Sequence, residues 1–512
     1  MTEPIVETTY GKVRGEVLPD GVYGFKGIRY GAPTGGENRF MPPRKPESWA
    51  GVKDTIRFGY SAPQSNPSAA RQVDIYQTGP ESEDCLFLNV WSPGINDNEK
   101  RPVMFWLHGG GFAILSGSAP QWNGANLARR GAVVVSVNHR LGALGYTYFG
   151  DIGGKEYAHS GNAGQLDIVM ALEWVRDNIA RFGGDPHSVM VFGESGGGQK
   201  VSMLLGCPPA KGLFHSAVIE SGPGVKMIER DHGNMMAKYL LDELGLDKRQ
   251  IGDIHSLPVE KILAAQFAAG ARLKGLSIPG MLRGFGPVLD DKVLPAHPFY
   301  PVASPVSADV PVIVGYNRTE STFFFVRSNP GFFKLDEDGM RASVKRWIGD
   351  GADSVIEAYR RNNPGATPSD LNFLITTDYP TGGYSINIAE RKAALGKAPA
   401  YLYRFDYESP FEGGRMKSPH GSEIVYVFDN VSLSPMASAG GAESSVLADR
   451  MSETWIAFAR TGNPNKPGSG PPVWKPYNAK NRATMLFNTK CTCVNDPTRE
   501  QRAALDKILN PR

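Results

Sequence analysis

The stretch Val189-Met-Val-Phe-Gly-Glu-Ser-Gly-Gly-Gly198 joins a short apolar run to a cluster of glycines around one serine. Val189 to Phe192 is β-branched and aromatic, and long enough for a buried strand. Gly193, Ser195 and Gly197 then fit Gly-x-Ser-x-Gly, a tight strand-to-helix turn that strains the serine backbone and exposes its Oγ above the strand's carboxyl end. Side chains at the flanking positions would collide in such a turn, which accounts for the glycines. A lone match also fits an ordinary glycine-rich loop, so its meaning rests on what surrounds it.

Upstream, Pro102 to Leu107 reads as a buried strand running into His108-Gly-Gly-Gly-Phe112. Three glycines after a strand let backbone N–H groups converge on one point. That is what stabilising an oxyanion requires, at about 3 kcal/mol per donor. A phosphate-binding loop is the competing reading, but no Gly-Lys-Ser/Thr follows. Ala132 to Val137 is another buried strand, and Gln165 to Ala180 a helix with Ile168, Leu172, Val175 and Ile179 on one face. Gly183-Gly-Asp-Pro186 ends that helix. After the serine, Val201, Leu204 and Leu205 line the inner face of the next helix, and Ala217 to Ile219 is again a strand. Alternating strands and helices predict an α/β fold, a mostly parallel sheet covered on both faces.

The flanks elaborate this core. Residues 8 to 30 hold short strands between turn glycines, an N-terminal antiparallel hairpin or meander. Ser61 to Glu83, rich in Pro, Ser, Gln and Gly, reads as a long loop. Glu83 to Trp91 begins another strand. Residues 231 to 284 are helical in tendency, the place for a cap. Val310 to Val314 is a strand that ends at Gly315-Tyr-Asn-Arg-Thr-Glu320, and Ala400 to Phe405 precedes Ser418-Pro-His-Gly-Ser422. Met451, Trp455 and Phe458 mark a helix, and Thr484 to Phe487 a last strand. No repeat divides the chain, so residues 1–512 are expected to form one body with helical insertions near 225–285 and 325–395.

Composition narrows the function. The net charge of +3 is too small to point to nucleic acid or an anionic membrane. No run of about eighteen apolar residues predicts a spanning helix. The first residues lack a basic and an apolar signal region, which gives an expectation of a cytoplasmic protein. The four cysteines, Cys85, Cys207, Cys491 and Cys493, form no disulfide framework. Cys491 and Cys493 have no histidine or cysteine cluster beside them and read as free thiols, so neither metal nor other cofactor is expected. Sequons at Asn317 and Asn430 carry no meaning without secretion.

A serine nucleophile needs a base, and an imidazole titrates in the right range. Of nine histidines, His139, His159 and His187 read as residents of polar turns, and His232 and His255 as helical or loop surface. His108 neighbours the oxyanion glycines and reads as positional. His420 follows a strand and lies C-terminal to everything else required. The third member must be an acid that fixes the imidazole tautomer. Glu320, at a strand end between Ser195 and His420, fits the order Ser, acid, His; spacing alone also fits a solvated loop carboxylate.

With these residues in place the chain resembles the type-B carboxylesterases, the group of bacterial p-nitrobenzyl esterases, animal carboxylesterases and cholinesterases. The likeness runs through Phe25-Lys-Gly-Ile28, Arg39-Phe, Glu83-Asp-Cys-Leu-Phe-Leu-Asn89, His108-Gly-Gly-Gly-Phe112 and Val137-Asn-His-Arg-Leu-Gly142. It continues in Gly161-Asn-Ala-Gly-Gln-Leu-Asp167, Phe182-Gly-Gly-Asp-Pro186, Gly193-Glu-Ser-Gly-Gly197, His420-Gly-Ser-Glu423 and Trp455-Ile-Ala-Phe-Ala-Arg-Thr-Gly-Asn-Pro464. The resemblance implies the α/β-hydrolase fold, with Ser195 as nucleophile, Glu320 as triad acid and His420 as base. It implies the amides of Gly110, Gly111 and Gly196 as the oxyanion hole, and Glu194 and Ser221 as polar neighbours of the triad.

The chain also departs from the pattern. Gly196 stands where the family usually has alanine; only its amide is needed, and it is expected to loosen the turn. Thr319 and Ser321 flank Glu320 where Asp and Gly are usual. Cys85 matches a cysteine that secreted members pair with an upstream partner, and no cysteine precedes it. The upstream tryptophan of cholinesterases is missing, with Tyr76 at most in its place, which argues against choline esters.

These features together imply a serine esterase for small to medium uncharged esters, acting through an acyl-enzyme as a monomer or weak homo-oligomer. Phe285, Phe323 to Phe325, Phe332 and Phe333 serve as pocket or as core equally well in such a reading. A carbamate, anilide or phthalate-type ester hydrolase with the same triad is the alternative. A non-catalytic binding protein of this fold, which would typically lack a triad residue, is the third.

Overall fold

Among the described residues fourteen strands run in chain order as β1 (Ile5–Thr8), β2 (Gly11–Arg14), β3 (Glu16–Val17), β4 (Tyr23–Arg29), β5 (Val52–Asp54), β6 (Phe87–Ser92), β7 (Arg101–Leu107), β8 (Val133–Val137), β9 (Gly184–Glu194), β10 (Ser216–Glu220), β11 (Val312–Asn317), β12 (Ala400–Phe405), β13 (Ala483–Phe487) and β14 (Thr492–Asn495). The computed structural model describes residues 3–65, 78–273, 284–466 and 472–509. Tyr76, part of the 61–83 loop and part of the 225–285 insertion lie outside these residues.

Eleven strands make the main sheet in the order β14-β13-β12-β11-β10-β9-β7-β8-β6-β4-β3, and β1, β2 and β5 form a small separate one. From β8 to β13 all neighbours are parallel. The N-terminal strands β3, β4 and β6 and the far edge β14 pair antiparallel. This is the mostly parallel sheet that the alternating pattern predicts, in the α/β-hydrolase arrangement that the resemblance implies. β14 lies beyond the strand read as the last, because four polar-edged residues, Thr492 to Asn495, carry too weak a periodicity to show.

The central strands are buried on both faces, and their side chains alternate strictly between two cores. Val103, Phe105, Leu107, Val189 and Val191 face one side with the helix Ala163–Asn178 and its Ile168, Leu172 and Val175. Met104, Trp106, Met190 and Phe192 face the other, packed by Leu447, Met451, Trp455 and Phe458 of the helix Gly441–Thr461. At about 25 cal/mol per Å² of apolar surface buried, these two layers supply the main force that fixes the sheet. Asp167 receives Arg140 through Nε at 2.8 Å, a guanidinium nitrogen at 2.6 Å and the backbone amide at 3.0 Å, a fully buried pair that ties the helix to the end of β8.

The insertions are helical. Arg230–Leu244 and Val259–Ala271 form a cap core around Met236, Leu240 and Ile262, where Phe285 is buried. Arg39 pins this cap. It pairs with Glu83 at 2.6 Å and donates to the carbonyls of Ile254 at 3.0 Å and Leu257 at 2.5 Å. A second helical group, including Glu337–Ile348, Ala352–Asn362 and Pro368–Thr377, packs around Val344, Val355 and Leu371. No helix among the described residues is long and apolar enough to cross a membrane.

Candidate active site

β9 ends at Glu194, and the helix Gly196–Leu205 starts two residues on, so the chain reverses within one residue. Ser195 absorbs that reversal at φ 57°, ψ −121°, a region that costs a non-glycine residue about 1–3 kcal/mol. Its amide donates to the carbonyl of Glu220 on β10 at 2.8 Å, which holds the strained turn against the sheet. The helix start presses on the end of β7: a methyl at Gly197 would overlap the carbonyl of Leu107.

The glycine loop after β7 passes over the serine. A methyl on Gly109 would stand 3.5 Å from Ser195 Cβ and 3.1 Å from a Glu194 carboxylate oxygen. Gly110 and Gly111 take φ of 79° and 63°, conformations open to glycine. Among the described residues the amides of Gly110 and Gly111 are committed to no other group, and that of Gly196 occupies the first position of its helix. The expected looseness at Gly196 is not there. A methyl at 196 would overlap the O, Cα and N of Gly111, so the loop has settled into the space that an alanine side chain fills.

His420 lies in the loop after β12, and its Nδ1 is 2.6 Å from Oε2 of Glu320. The other oxygen of Glu320 accepts the amide of Asn317 at 2.7 Å, so the acid is clamped from both sides. The two unusual neighbours have a place in this clamp. Thr319 and Ser418 exchange hydrogen bonds, amide to carbonyl at 3.1 Å and amide to hydroxyl at 3.0 Å, stitching the acid turn to the histidine loop. Ser321 anchors the following helix on Phe373 O at 3.1 Å.

The second imidazole nitrogen, Nε2, stands 3.2 Å from Oε1 of Glu194, within ion-pair distance but out of line for a hydrogen bond. Among the described residues no hydrogen bond joins Ser195 to His420; such bonds are often loose before substrate arrives. Burial opposes a charge on His420, but the carboxylates of Glu194 and Glu320 outweigh it and raise the imidazole above its ordinary value. That field favours the imidazolium formed when a serine proton is taken up.

Four glutamates crowd this corner, and all are buried: Glu194, Glu220, Glu320 and Glu423. Burial pushes the Glu194 carboxyl up, His420 pulls it down, and Glu423 and Glu320 push it up again, with a net rise. Glu423 is raised by burial and by Glu320. It accepts Ser221 Oγ at 2.9 Å and Asn317 Nδ2 at 2.5 Å, so Ser221 is linked through this acid to Asn317, whose backbone amide Glu320 accepts. Glu220 accepts the indole N–H of Trp455 at 2.7 Å, and burial raises it well above the carboxylate range.

Several residues here escape a reading of the sequence. Glu423 appears only as the last letter of a matched motif, Asn317 only as a sequon, and Glu220 is not singled out. Asn317 and Asn430 are both buried, with their side-chain amides bonded inside the protein, so neither can carry a glycan. His139 is not in a polar turn: it is buried and stacks on His108 at 5.0 Å. Of the six phenylalanines, Phe323 and Phe324 flank His420 at ring distances of 5.9 and 4.9 Å, and Phe324 is half exposed. Phe325 stacks on Phe332 at 4.2 Å, Phe333 packs on Phe373, and Phe285 is cap core. The four cysteines are free, and no metal-binding cluster occurs among the described residues.

Comparison with known proteins places this geometry. Residues 2–505 match the model of the carboxylesterase family. The chain is 35% identical to the para-nitrobenzyl esterase of Bacillus subtilis over 99% of both chains, and 32% identical to the phenmedipham hydrolase of Pseudarthrobacter oxydans over 95% of both. The crystal structure of the Geobacillus stearothermophilus carboxylesterase EST55 at pH 6.2 superposes with a TM-score of 0.83 at 34% identity, covering 98% of this chain and 100% of that one. The chain belongs to the carboxylesterase family, enzymes that hydrolyse carboxylic esters.

Proposed function

We propose that this protein cleaves small to medium uncharged carboxylic esters through a covalent acyl-serine. His420 takes the proton of Ser195 Oγ as that oxygen attacks the ester carbonyl, and the amides of Gly110, Gly111 and Gly196 receive the oxyanion. The imidazolium gives its proton to the leaving alcohol, and water repeats the sequence on the acyl-enzyme. Glu320 holds the tautomer and stabilises the imidazolium without taking its proton.

The observation that carries this reading is the 2.6 Å contact of His420 Nδ1 with a clamped Glu320, together with Ser195 held at positive φ in the turn after β9. Phe323 and Phe324 beside the imidazole favour an apolar group. In this reading residues 1–512 act as one catalytic body on a small-molecule substrate, as a monomer or weak homo-oligomer. Four free thiols and no disulfide agree with a cytoplasmic location.

Hydrolysis of a p-nitrophenyl acyl-chain series by wild type and Ser195→Ala tests the reading. Full activity in the variant would refute it. A second reading, cleavage of carbamates, draws on the 32% identity to a phenmedipham hydrolase. A higher kcat/KM for aryl carbamates than for matched esters would select it.

A further inference from the structure

Against the start of the glycine loop sits a buried lysine that the hydrolytic steps above do not use. Lys200 lies on the helix Gly196–Leu205, five residues after Ser195, and is fully buried. Burying an ammonium without a counter-charge costs several kcal/mol, and among the described residues no carboxylate pairs with it. Its surroundings are aromatic and basic. Nζ stands 5.7 Å from the ring of Phe112, near the stacked and buried His108 and His139. Burial and Lys200 both hold these two imidazoles well below their ordinary value, and burial brings Lys200 itself down to about 7. A leucine or methionine would fill space here without burying an ionisable group, at the loss of one hydrogen bond.

What the lysine has is one directed bond: Nζ donates to the carbonyl of His108 at 2.9 Å. His108 is the residue between β7 and the three glycines. Those glycines have no side chains to pack, so the loop's peptide planes are set by hydrogen bonds. The carbonyl of Gly109 meets Nδ1 of His108 at 3.0 Å, that of Gly110 accepts the amides of Ala113 and Ile114, and that of His108 accepts Lys200. The oxyanion donors come from two separate pieces, Gly110 and Gly111 from this loop and Gly196 from the helix that carries Lys200. Among the described residues, Lys200 is the only side chain of that helix that hydrogen-bonds to the glycine loop. An ammonium and a neutral amine both donate N–H, so the bond survives titration.

We propose that Lys200 is a positioning residue of the oxyanion hole, its bond to the His108 carbonyl holding the glycine loop in register with the helix so that all three amides address one oxygen. The inference rests on Ser195 acting as the nucleophile. Lys200→Met and Lys200→Leu remove the donor, and Lys200→Gln keeps an N–H. Each is titrated to completion with diethyl p-nitrophenyl phosphate to count reactive serines and assayed for kcat and KM. Its Ki is then measured for an aryl trifluoromethyl ketone, whose hemiketal oxygen occupies the oxyanion position. In Met and Leu variants we expect the wild-type number of reactive serines, kcat lower by about 10- to 100-fold, KM within about twofold, and Ki raised by the same factor as kcat falls. The Gln variant should recover most of both. Unchanged kcat and Ki in a folded Met or Leu variant would overturn the proposal. So would a loss that follows only the count of reactive serines, or a failure of both non-donor variants to fold, since each makes the lysine merely structural. Wild-type protein that takes up no diethylphosphoryl group on Ser195, or Ser195→Ala that keeps its esterase activity, would overturn the triad reading and this proposal with it, whereas unchanged kinetics in the Lys200 variants overturn the proposal alone.

Discussion

Oε1 of Glu194 stands 3.2 Å from Nε2 of His420, on the opposite side of the imidazole from Glu320. The ring is thus held between two carboxylates, one that orients it and one that lies beside the serine. Both raise its proton affinity against the effect of burial. A base must be neutral to act, so kcat/KM rises with pH through the imidazole's titration. Glu194→Gln removes one anionic neighbour and lowers that titration, so the acid limb of the profile should move to lower pH by about one unit or more. A kcat/KM profile of wild type and variant from pH 5 to 11 checks this, since the imidazole is raised to about 10; an unmoved limb would mean that Glu194 is already protonated there.

Glu320→Gln keeps the size of the side chain but offers the imidazole an amide in place of a carboxylate. With the charge gone and the tautomer free to invert, kcat should fall about 10³- to 10⁴-fold while the thermal midpoint changes little. Steady-state kinetics with calorimetry test both parts.

The contact between Gly196 and Gly111 makes the usual alanine a poor fit here. Gly196→Ala drives a methyl into loop backbone, which cannot swing aside as a flexible side chain could. We expect kcat to drop about 10- to 100-fold with a smaller change in KM, because the amides of Gly110 and Gly111 must move from the oxyanion. Equal kinetics for the two residues would show that the loop yields without cost.

Lys200 also has a signature in stability. Its folded value of about 7 lies below the ordinary 10.5, so between those values the unfolded chain binds the proton that the folded one has released. Stability linked to this group is therefore present above 10.5 and lost as pH falls toward 7. Lys200→Met has no such loss, and its unfolding free energy relative to wild type should improve steadily from pH 10 to 7. Urea titrations at three pH values read the slope.

The sequence carries some of this structure openly and hides the rest for physical reasons. The apolar runs at Val103, Val133 and Val189 show as strands because a parallel sheet buries both faces, and the glycines around Ser195 show because the turn admits little else. Ser195, Glu320 and His420 can be picked as candidates from order along the chain and strand-end position. The shell around them cannot. Glu423 and Asn317 meet only because β11 and the loop after β12 lie side by side, and nothing in their local pattern marks either as buried. Lys200 sits in a helix where a charged residue reads as solvent-facing, and only the packing of that helix against β7 turns it inward. His139 miscarries in the same way, and Phe285 stays open between pocket and core, since a single histidine or phenylalanine does not announce which surface covers it.

The close approach of Gly111 to Gly196 also bears on how such a chain can change over time. With the loop standing in the room an alanine methyl would take, replacing Gly196 by alanine cannot be neutral on its own. It requires a compensating change in the loop, or in whatever holds the loop there. The two positions are therefore coupled, and neither can be altered independently of the other.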